Sequence, residues 1–425
     1  MKHTRCVLAI ALLLAGCTQQ EAIGKNTKPV VYVVGDGVPP QEQTAAAERP
    51  YPLNRAQGYA MWRGVKSAFD RSPRLDRVRG MVELVGIDDL GNTDRAKKAA
   101  AKIRDDARTI AVIGHATSAT TRAALPDYAA ASIPLLMPIA TSPEIFNRDG
   151  QGQGDRFNNC FRLPPADVPI QASAVALITT DKSALNAQRV ALLRDIAPDA
   201  GEYSGPLYRD LLRLLGPILI FKNELDAQRG DVRSVALGLL AQSPDVVIFC
   251  GYGSNANALL GALNFAYKDV ALDKRPRIVL TDGAKVKDLV VNDFREYLTF
   301  PAPDLASYRC DTPDGANLRA LLADGPMSYE MYGYDSALLV GDAIEACRNK
   351  GISRQCILAE LRKEQSFVGA CLPYSFHNSE NILSSYYVYS NCDQYTVCPE
   401  LKPLHYVNEI SAEELTRFRA TRSAP

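Results

Sequence analysis

The chain has little of what metal and nucleotide chemistry draws on. It carries four histidines, and none of its ten cysteines forms a C-x-x-C pair. Zinc is therefore left without its common ligand spacings. No G-K-[ST] phosphate loop, H-E-x-x-H helix or G-x-S-x-G elbow occurs, so the usual signatures of nucleotide hydrolysis and of zinc or serine hydrolases are missing. Neither sign of charge is in excess, with 48 Lys and Arg against 48 Asp and Glu. Without Lys2 and Arg5 of the leader the balance is 46 against 48, a net charge of −2. That argues against a nucleic-acid partner, which calls for a basic face. No apolar run after the leader is long enough to span a bilayer.

The leader sets the compartment. Lys2, His3 and Arg5 precede an apolar stretch over residues 6–15 that is too short for a membrane span. This is the layout of a secretory signal. It ends in Leu14-Ala15-Gly16-Cys17, which resembles the bacterial lipobox. The resemblance implies that residues 1–16 are a signal peptide, that Cys17 is lipidated, and that the protein is held to a membrane on the periplasmic or cell-surface side. An ordinary signal with a chance cysteine is the alternative. Residues 17–28 are polar and are expected to form a flexible tether. Export suits the eight cysteines of the body, an even number that points to disulfides with the pairing open. Five of them, Cys347, Cys356, Cys371, Cys392 and Cys398, crowd the last fifth of the chain. Cys250 ends the apolar run Val246-Val247-Ile248-Phe249 and reads as a buried free thiol.

The body alternates short apolar runs with helical stretches. Strands are expected at 30–34, 81–87, 109–113 and 133–137, and helices at 55–69, 93–106 and 120–131. The pattern restarts with strands at 190–193, 218–221, 246–250 and 277–280, separated by helices at 206–215, 231–242 and 256–267. Such alternation implies βαβ units and mostly parallel sheets. Two blocks of similar plan predict an α/β fold of two lobes, each with its own sheet. Chain crossings are expected near 157–166 and 300–303. Lobe 1 is then residues 29–160 and 300–370, lobe 2 residues 161–299 and 371–395, and 396–425 a C-terminal tail. A long helix over 329–348 belongs with lobe 1, and strands resume at 384–389.

Two segments have the residue types for holding an anion. In Ile113-Gly114-His115-Ala116-Thr117-Ser118 a strand ends, hydroxyl residues follow and a helix begins. A helix N-terminus offers free N–H groups and a favourable dipole. Ser and Thr at such a place are equally suited to capping. The next strand leads into Pro138-Ile139-Ala140-Thr141-Ser142-Pro143-Glu144, with Ser142 at the expected cap and proline at the first helical position. Two such starts at adjacent strand ends share one crevice, where ligands bind in open α/β sheets. A third segment, Gly251-Tyr252-Gly253-Ser254-Asn255-Ala256, fits G-x-G-x-x-A. That pattern is a dinucleotide fingerprint in the right setting. It lies late in an exported chain, where such a cofactor is not expected, so no cofactor is assigned.

Residues 109–145 resemble the leucine/isoleucine/valine-binding protein family of ABC-transporter receptors, which has the type I periplasmic binding fold. The resemblance is carried by Gly114-His115, Ile133-Pro134 and Ala140-Thr141-Ser142-Pro143-Glu144. It extends through Asp88-Asp89 before Ala96, Tyr203-Ser204-Gly205, Gly333-Tyr334-Asp335-Ser336, and Phe367-Val368-Gly369 with Phe376-His377-Asn378. It implies a two-lobed receptor closing on a small-molecule ligand, an amino acid or similar solute, and partnered by an ABC permease. Ser118 and Thr141 would hold the ligand carboxylate, Ala140 would also be ligand-binding, Tyr203 and Tyr252 would line lobe 2, and Asp282 would meet the ammonium. Each residue also has a plainer reading: capping for Ser118 and Thr141, packing for Tyr252, a turn for Asp282-Gly283. Trp62 and Tyr59 on the first helix read as core or rim. The chain departs from the family in having Asp where Glu is common, a long Pro- and Gln-rich loop over 35–52, and Leu372 in place of a second glycine. Two other functions remain open: an outer-membrane lipoprotein that binds other proteins, suggested by Thr18 after Cys17, and a ligand sensor. An enzyme would rest on the glycine turn alone.

Overall fold

The computed structural model describes residues 27–39, 56–142, 145, 158–164, 167–182, 185–197, 200–226, 230–284, 298–303, 312–322, 328–364, 366–377, 380–381 and 386–390. Residues 17–26 of the tether with Cys17, residues 40–52 of the long loop, Pro143, Glu144 and the tail with Cys392 and Cys398 lie outside the described residues.

The first sheet grows from β1 (Val30–Val34), which pairs in parallel with β2 (Glu83–Ile87) and β3 (Thr109–Gly114). Next to β3 lie β4 (Leu135–Met137) and β5 (Cys160–Arg162), also parallel. Beyond β5 come β13 (Glu380–Asn381), β12 (Pro373–His377) and β11 (Ser366–Val368), giving the order β11-β12-β13-β5-β4-β3-β1-β2. The second sheet has β6 (Val190–Asp195), β7 (Leu219–Leu225), β8 (Val246–Cys250), β9 (Arg277–Leu280), β10 (Leu298–Pro303) and β14 (Tyr386–Ser390), ordered β14-β10-β9-β8-β6-β7. Its pairs are parallel except β10 with β14.

Side chains of a strand alternate between faces, and a parallel sheet covered by helices buries both. This is why the strands read as unbroken apolar runs. Val31 and Val33 join one core cluster, while Val30, Tyr32 and Val34 join the cluster on the opposite face. In the second sheet Val247 and Phe249 point one way and Val246, Ile248 and Cys250 the other. Cys250 is thus a buried free thiol, as is Cys160, and burial pushes both thiols well up. Helix α2 (Thr93–Asp105) buries Ala96, Ala99, Ala100 and Ile103, one stripe at helical spacing. Asn92 caps it by accepting from the amides of Asp94 and Arg95.

Helices α1 (Ala56–Arg71) and α9 (Ser328–Cys347) cross at backbone distance. A Cβ on Gly64 would lie 1.9 Å from the Glu330 carbonyl oxygen, and one on Gly333 would lie 2.4 Å from that of Met61. The glycine of the Gly333-Tyr334-Asp335-Ser336 motif is therefore a packing requirement. The aspartate of the same motif, Asp335, is fully buried. It accepts from Tyr374 Oη at 2.6 Å and from the Ala370 amide at 2.7 Å, fastening the Phe367-Val368-Gly369 segment to α9. Burial pushes its carboxyl up to about 7 in spite of these donors. A disulfide joins Cys347 at the end of α9 to Cys356 in α10 (Arg354–Leu361), and Cys371 is also disulfide-bonded. Among the described residues no cluster of His, Cys, Asp and Glu is arranged for a metal, and no helix is long and apolar enough to cross a membrane.

Over the described residues the chain passes between sheets three times. It leaves the first after Arg162 and enters α4 (Asp167–Thr180), whose Ala172, Val175 and Ala176 pack under the second. It returns after Pro303 to α8 (Pro313–Leu322), where Leu318 joins the first core. It leaves again between Asn381 and Tyr386. The transfer expected at residue 371 is thus displaced by about a strand pair. Glu380 pairs with Arg162, and Phe376 with Asn381, so the backbone hydrogen bonds of β12 and β13 belong to the first sheet. By the same pairing rule, residues 161–162 lie in the first sheet and 300–303 in the second.

Two outcomes follow from this packing. Gly64→Ala should cost about 1–3 kcal/mol in a urea melt, because the added methyl meets backbone rather than a movable side chain; an unchanged midpoint would show that the helices do not cross this closely. Asp335 has a raised folded pKa, so its contribution to stability is complete below the unfolded value of 3.8 and is lost as pH rises through about 7. Asp335→Asn should therefore flatten stability between those limits by about 1.4 kcal/mol per pH unit relative to wild type. Parallel curves for the two proteins would contradict the assignment.

Candidate functional site

Parallel pairing brings the carboxyl ends of β3, β4 and β5 together, with Val112 opposite Leu135 and Leu135 opposite Cys160. After β3 the chain runs through His115 into α3 (Ser118–Ala130). His115 is fully buried, with Nδ1 2.6 Å from Asp89 Oδ2 and Nε2 3.0 Å from Tyr128 Oη. Burial, with Asp89 adding to it, pushes the Tyr128 phenol well up, which keeps that hydroxyl a donor. With Nδ1 protonated, the ring donates to Asp89 and accepts from Tyr128. The Asp-Asp and Gly-His motifs are thus tied to each other across the strand ends, fixing where α3 begins.

The residue that caps α3 is Thr117, whose Oγ1 accepts from the Thr120 amide at 3.1 Å. Ser118 is left out of capping. Its Oγ accepts instead from the Ser142 amide at 3.3 Å, in the turn after β4. The two hydroxyl-rich starts therefore meet, and Ala140 and Thr141 lie buried between them. Arg162, at the end of β5, is fully buried and donates from Nη1 to the carbonyls of Thr141 (3.2 Å) and Ser142 (2.8 Å).

The second sheet supplies an aromatic wall. Tyr203 lies in α5 (Gly201–Leu215), and Tyr252 directly precedes α7 (Gly253–Ala266). Their rings stack with centroids 5.3 Å apart and planes 17° from parallel. Tyr203 Oη donates to Gln171 Oε1 at 2.9 Å and accepts from the Gly283 amide at 3.3 Å. Gly283 belongs to the turn Asp282–Ala284, whose first residue is the expected partner for an ammonium. The Asp282 side chain itself lies outside the described residues. Gln57, near the start of α1, bridges the two lobes: its Nε2 donates to the Gly283 carbonyl at 3.4 Å and to Tyr329 Oη at 3.2 Å. Helices α3 and α5 also touch across the crevice.

Sequence reasoning thus named the loops around Ser118, Ala140, Thr141, Tyr203 and Tyr252, and the structure groups the first three on one side and the tyrosines on the other. It missed Arg162, Gln57, Gln171 and Tyr329. A buried arginine closing a short strand at a lobe crossing was a usable signal; the other three carry none without tertiary contacts. Trp62 is core and Tyr59 is partly exposed. The glycine turn has a packing explanation, since a Cβ on Gly251 would lie 2.6 Å from both Asp195 Cβ and the Phe249 ring.

Residues 53–390 match the family described as periplasmic binding protein. The chain belongs to this family. It is a periplasmic binding protein and not an enzyme, and it shares its fold with solved leucine- and isoleucine-binding proteins. The substrate-binding protein LivJ of Streptococcus pneumoniae, solved with isoleucine, shares the fold with a TM-score of 0.68 at 19% identity, covering 87% of this chain and 97% of that one. The leucine-binding protein LivK of Thermotoga maritima gives 0.66 at 22%, covering 85% and 95%. A solute-binding protein of R. palustris solved with 4-hydroxybenzoate gives 0.65 at 14%, covering 86% and 93%. In sequence, an amino acid binding protein of Pseudomonas aeruginosa is 26% identical over 208 residues, a match spanning 49% of this chain and 53% of that relative.

If Thr117 is the cap, Thr117→Ala should lower stability by about 1 kcal/mol in chemical denaturation. No loss would return the capping role to Ser118.

Proposed function

We propose that this protein is the solute-binding lipoprotein of an ABC transporter, anchored through Cys17, and that it captures an amino acid or similar small solute between its lobes. One observation carries the reading. The hydroxyl-bearing start of α3 meets the Ala140–Ser142 turn on one lobe, α3 touches α5 of the other, and there the stacked tyrosines adjoin the turn headed by Asp282. The first group suits a carboxylate, because helix-start amides and hydroxyls donate to an anion. On this reading Asp282 meets the ammonium, and the tyrosines flank the side chain. Gln57 ties the lobes at Gly283, beside the Asp282 turn. The names of similar proteins, with isoleucine, leucine and amino acids among their ligands, agree with this class.

A thermal-shift screen of the mature protein against the twenty standard amino acids tests the reading. A ligand at about one hundred times its Kd adds about 2.7 kcal/mol to native stability. At least one amino acid should raise the melting temperature, and Asp282→Ala should weaken its binding at least about tenfold, as loss of a charge-paired contact does. No shift with any amino acid, in protein shown by mass spectrometry to be free of carried-over ligand, would overturn the proposal.

A further inference from the structure

A cavity of about 240 Å³ opens between α1 and β2, the outermost strand of the first sheet. Trp62, Lys66, Phe69 and Asp70 line it from α1, at spacings that put them on one face of the helix. Val82, just before β2, and Leu84 within it are two residues apart and so share a face of the extended chain. The cavity is not part of the crevice. Gln57 marks the crevice end of α1, and Phe69 lies about 18 Å further along the helix axis.

The walls are apolar. Trp62 and Phe69 belong to the core of lobe 1, and Val82 and Leu84 pack against it. Water held there finds few hydrogen-bond partners, so an apolar body that displaces it gains free energy. The charged lining has cations in excess, Lys66 and Arg79 against Asp70. Lys66 pairs with Asp70 at 2.7 Å, both half-exposed, an arrangement that holds the ammonium only weakly. Arg79 is fixed more firmly. Its Nε donates to the Phe69 carbonyl at 2.8 Å and its Nη2 to that of Ser72 at 3.0 Å, with Asp76 also 3.0 Å from Nη2. A guanidinium has five N–H donors, and among the described residues those on Nη1 have no partner. An anion at the cavity thus meets one held donor and one adaptable cation.

We propose that this cavity is a second ligand site, on the flank of lobe 1, that takes a small organic carboxylate with an apolar body. The body lies against Trp62, Phe69, Val82 and Leu84, and the carboxylate turns to Arg79 and Lys66. The site is independent of what the crevice holds.

Trp62 is the chain's single tryptophan, so its emission reports directly on the cavity wall. The test titrates the mature protein at low ionic strength with phenylacetate, with phenylacetamide as the uncharged counterpart and acetate as the anion without an apolar body. Phenylacetate should change the emission saturably with a Kd of about 1 mM or tighter, a modest efficiency for a ligand of about ten heavy atoms. The amide and acetate should each bind at least about fivefold more weakly. Lys66→Glu, a surface change, should weaken phenylacetate about fivefold and leave the amide unchanged. Val82→Phe fills the space and should abolish the response; if it does not fold, Lys66→Glu still decides. No saturable change with phenylacetate, equal binding of acid and amide, or a response that survives Lys66→Glu undiminished would overturn the inference. So would an emission that follows protein concentration and not the probe, because a second copy of the chain would then be what covers the cavity.

Discussion

The peptide between Thr141 and Ser142 is held at both polar ends, by Arg162 on its carbonyl and by Ser118 on its N–H. Much of the crevice depends on this arrangement. It requires β3, β4 and β5 side by side, because Ser118 follows the first, the peptide follows the second and Arg162 ends the third. Parallel pairing delivers all three to one edge, and helices on both faces make such pairing stable by burying it. The fold and the site are in this respect the same fact: a slip in register between β4 and β5 would separate the guanidinium from the turn it holds.

A second layer of buried polar groups fixes the first. His115 spans Asp89 and Tyr128, and Asp335 gathers Tyr374 and the Ala370 amide. Both sit where loops leave the sheet of the first lobe, places that apolar packing alone positions poorly. Such groups cost desolvation and repay it in geometry only when their partners are complete. Asp36 shows the cost: it is buried near Asp88 and Asp89, and burial followed by those charges drives its carboxyl well above the usual range. Motifs that carried the family resemblance along the sequence, Asp88-Asp89, Gly114-His115 and Gly333-Tyr334-Asp335, hold the scaffold against which the crevice is set.

The alternation of elements was legible because period-two and helical patterns survive in a single sequence; β8 and β9 fall on their expected residues and α9 within one. Helix starts were less so. Helices α5 and α7 begin several residues before the expected 206 and 256: each starts on a glycine, Gly201 and Gly253, and Pro206 falls inside α5 and does not open it. The cap of α3 fell on Thr117 rather than its neighbour, a one-residue difference that changes what Ser118 is free to do. The site was half legible. Hydroxyl residues at strand ends announce themselves, whereas Gln57, Gln171 and Tyr329 matter only through partners far away in the chain, such as the Gln57 contact with Gly283. The return of β12 and β13 to the first sheet was equally hidden, because strand pairing is a long-range choice that local periodicity does not encode.

The account makes the first lobe the acceptor of the ligand's negative end and the second lobe the holder of its remainder. Tyr203, Tyr252 and the Gly283 turn are stacked and bonded to one another, which fixes the wall they form. The measurement that tests this most directly is a crystal structure of the mature protein with an amino acid bound. The account predicts a carboxylate oxygen within about 3 Å of Ser118 Oγ, at hydrogen-bonding distance. A carboxylate turned toward Tyr203 and Tyr252, or a ligand seated outside the crevice, would contradict it.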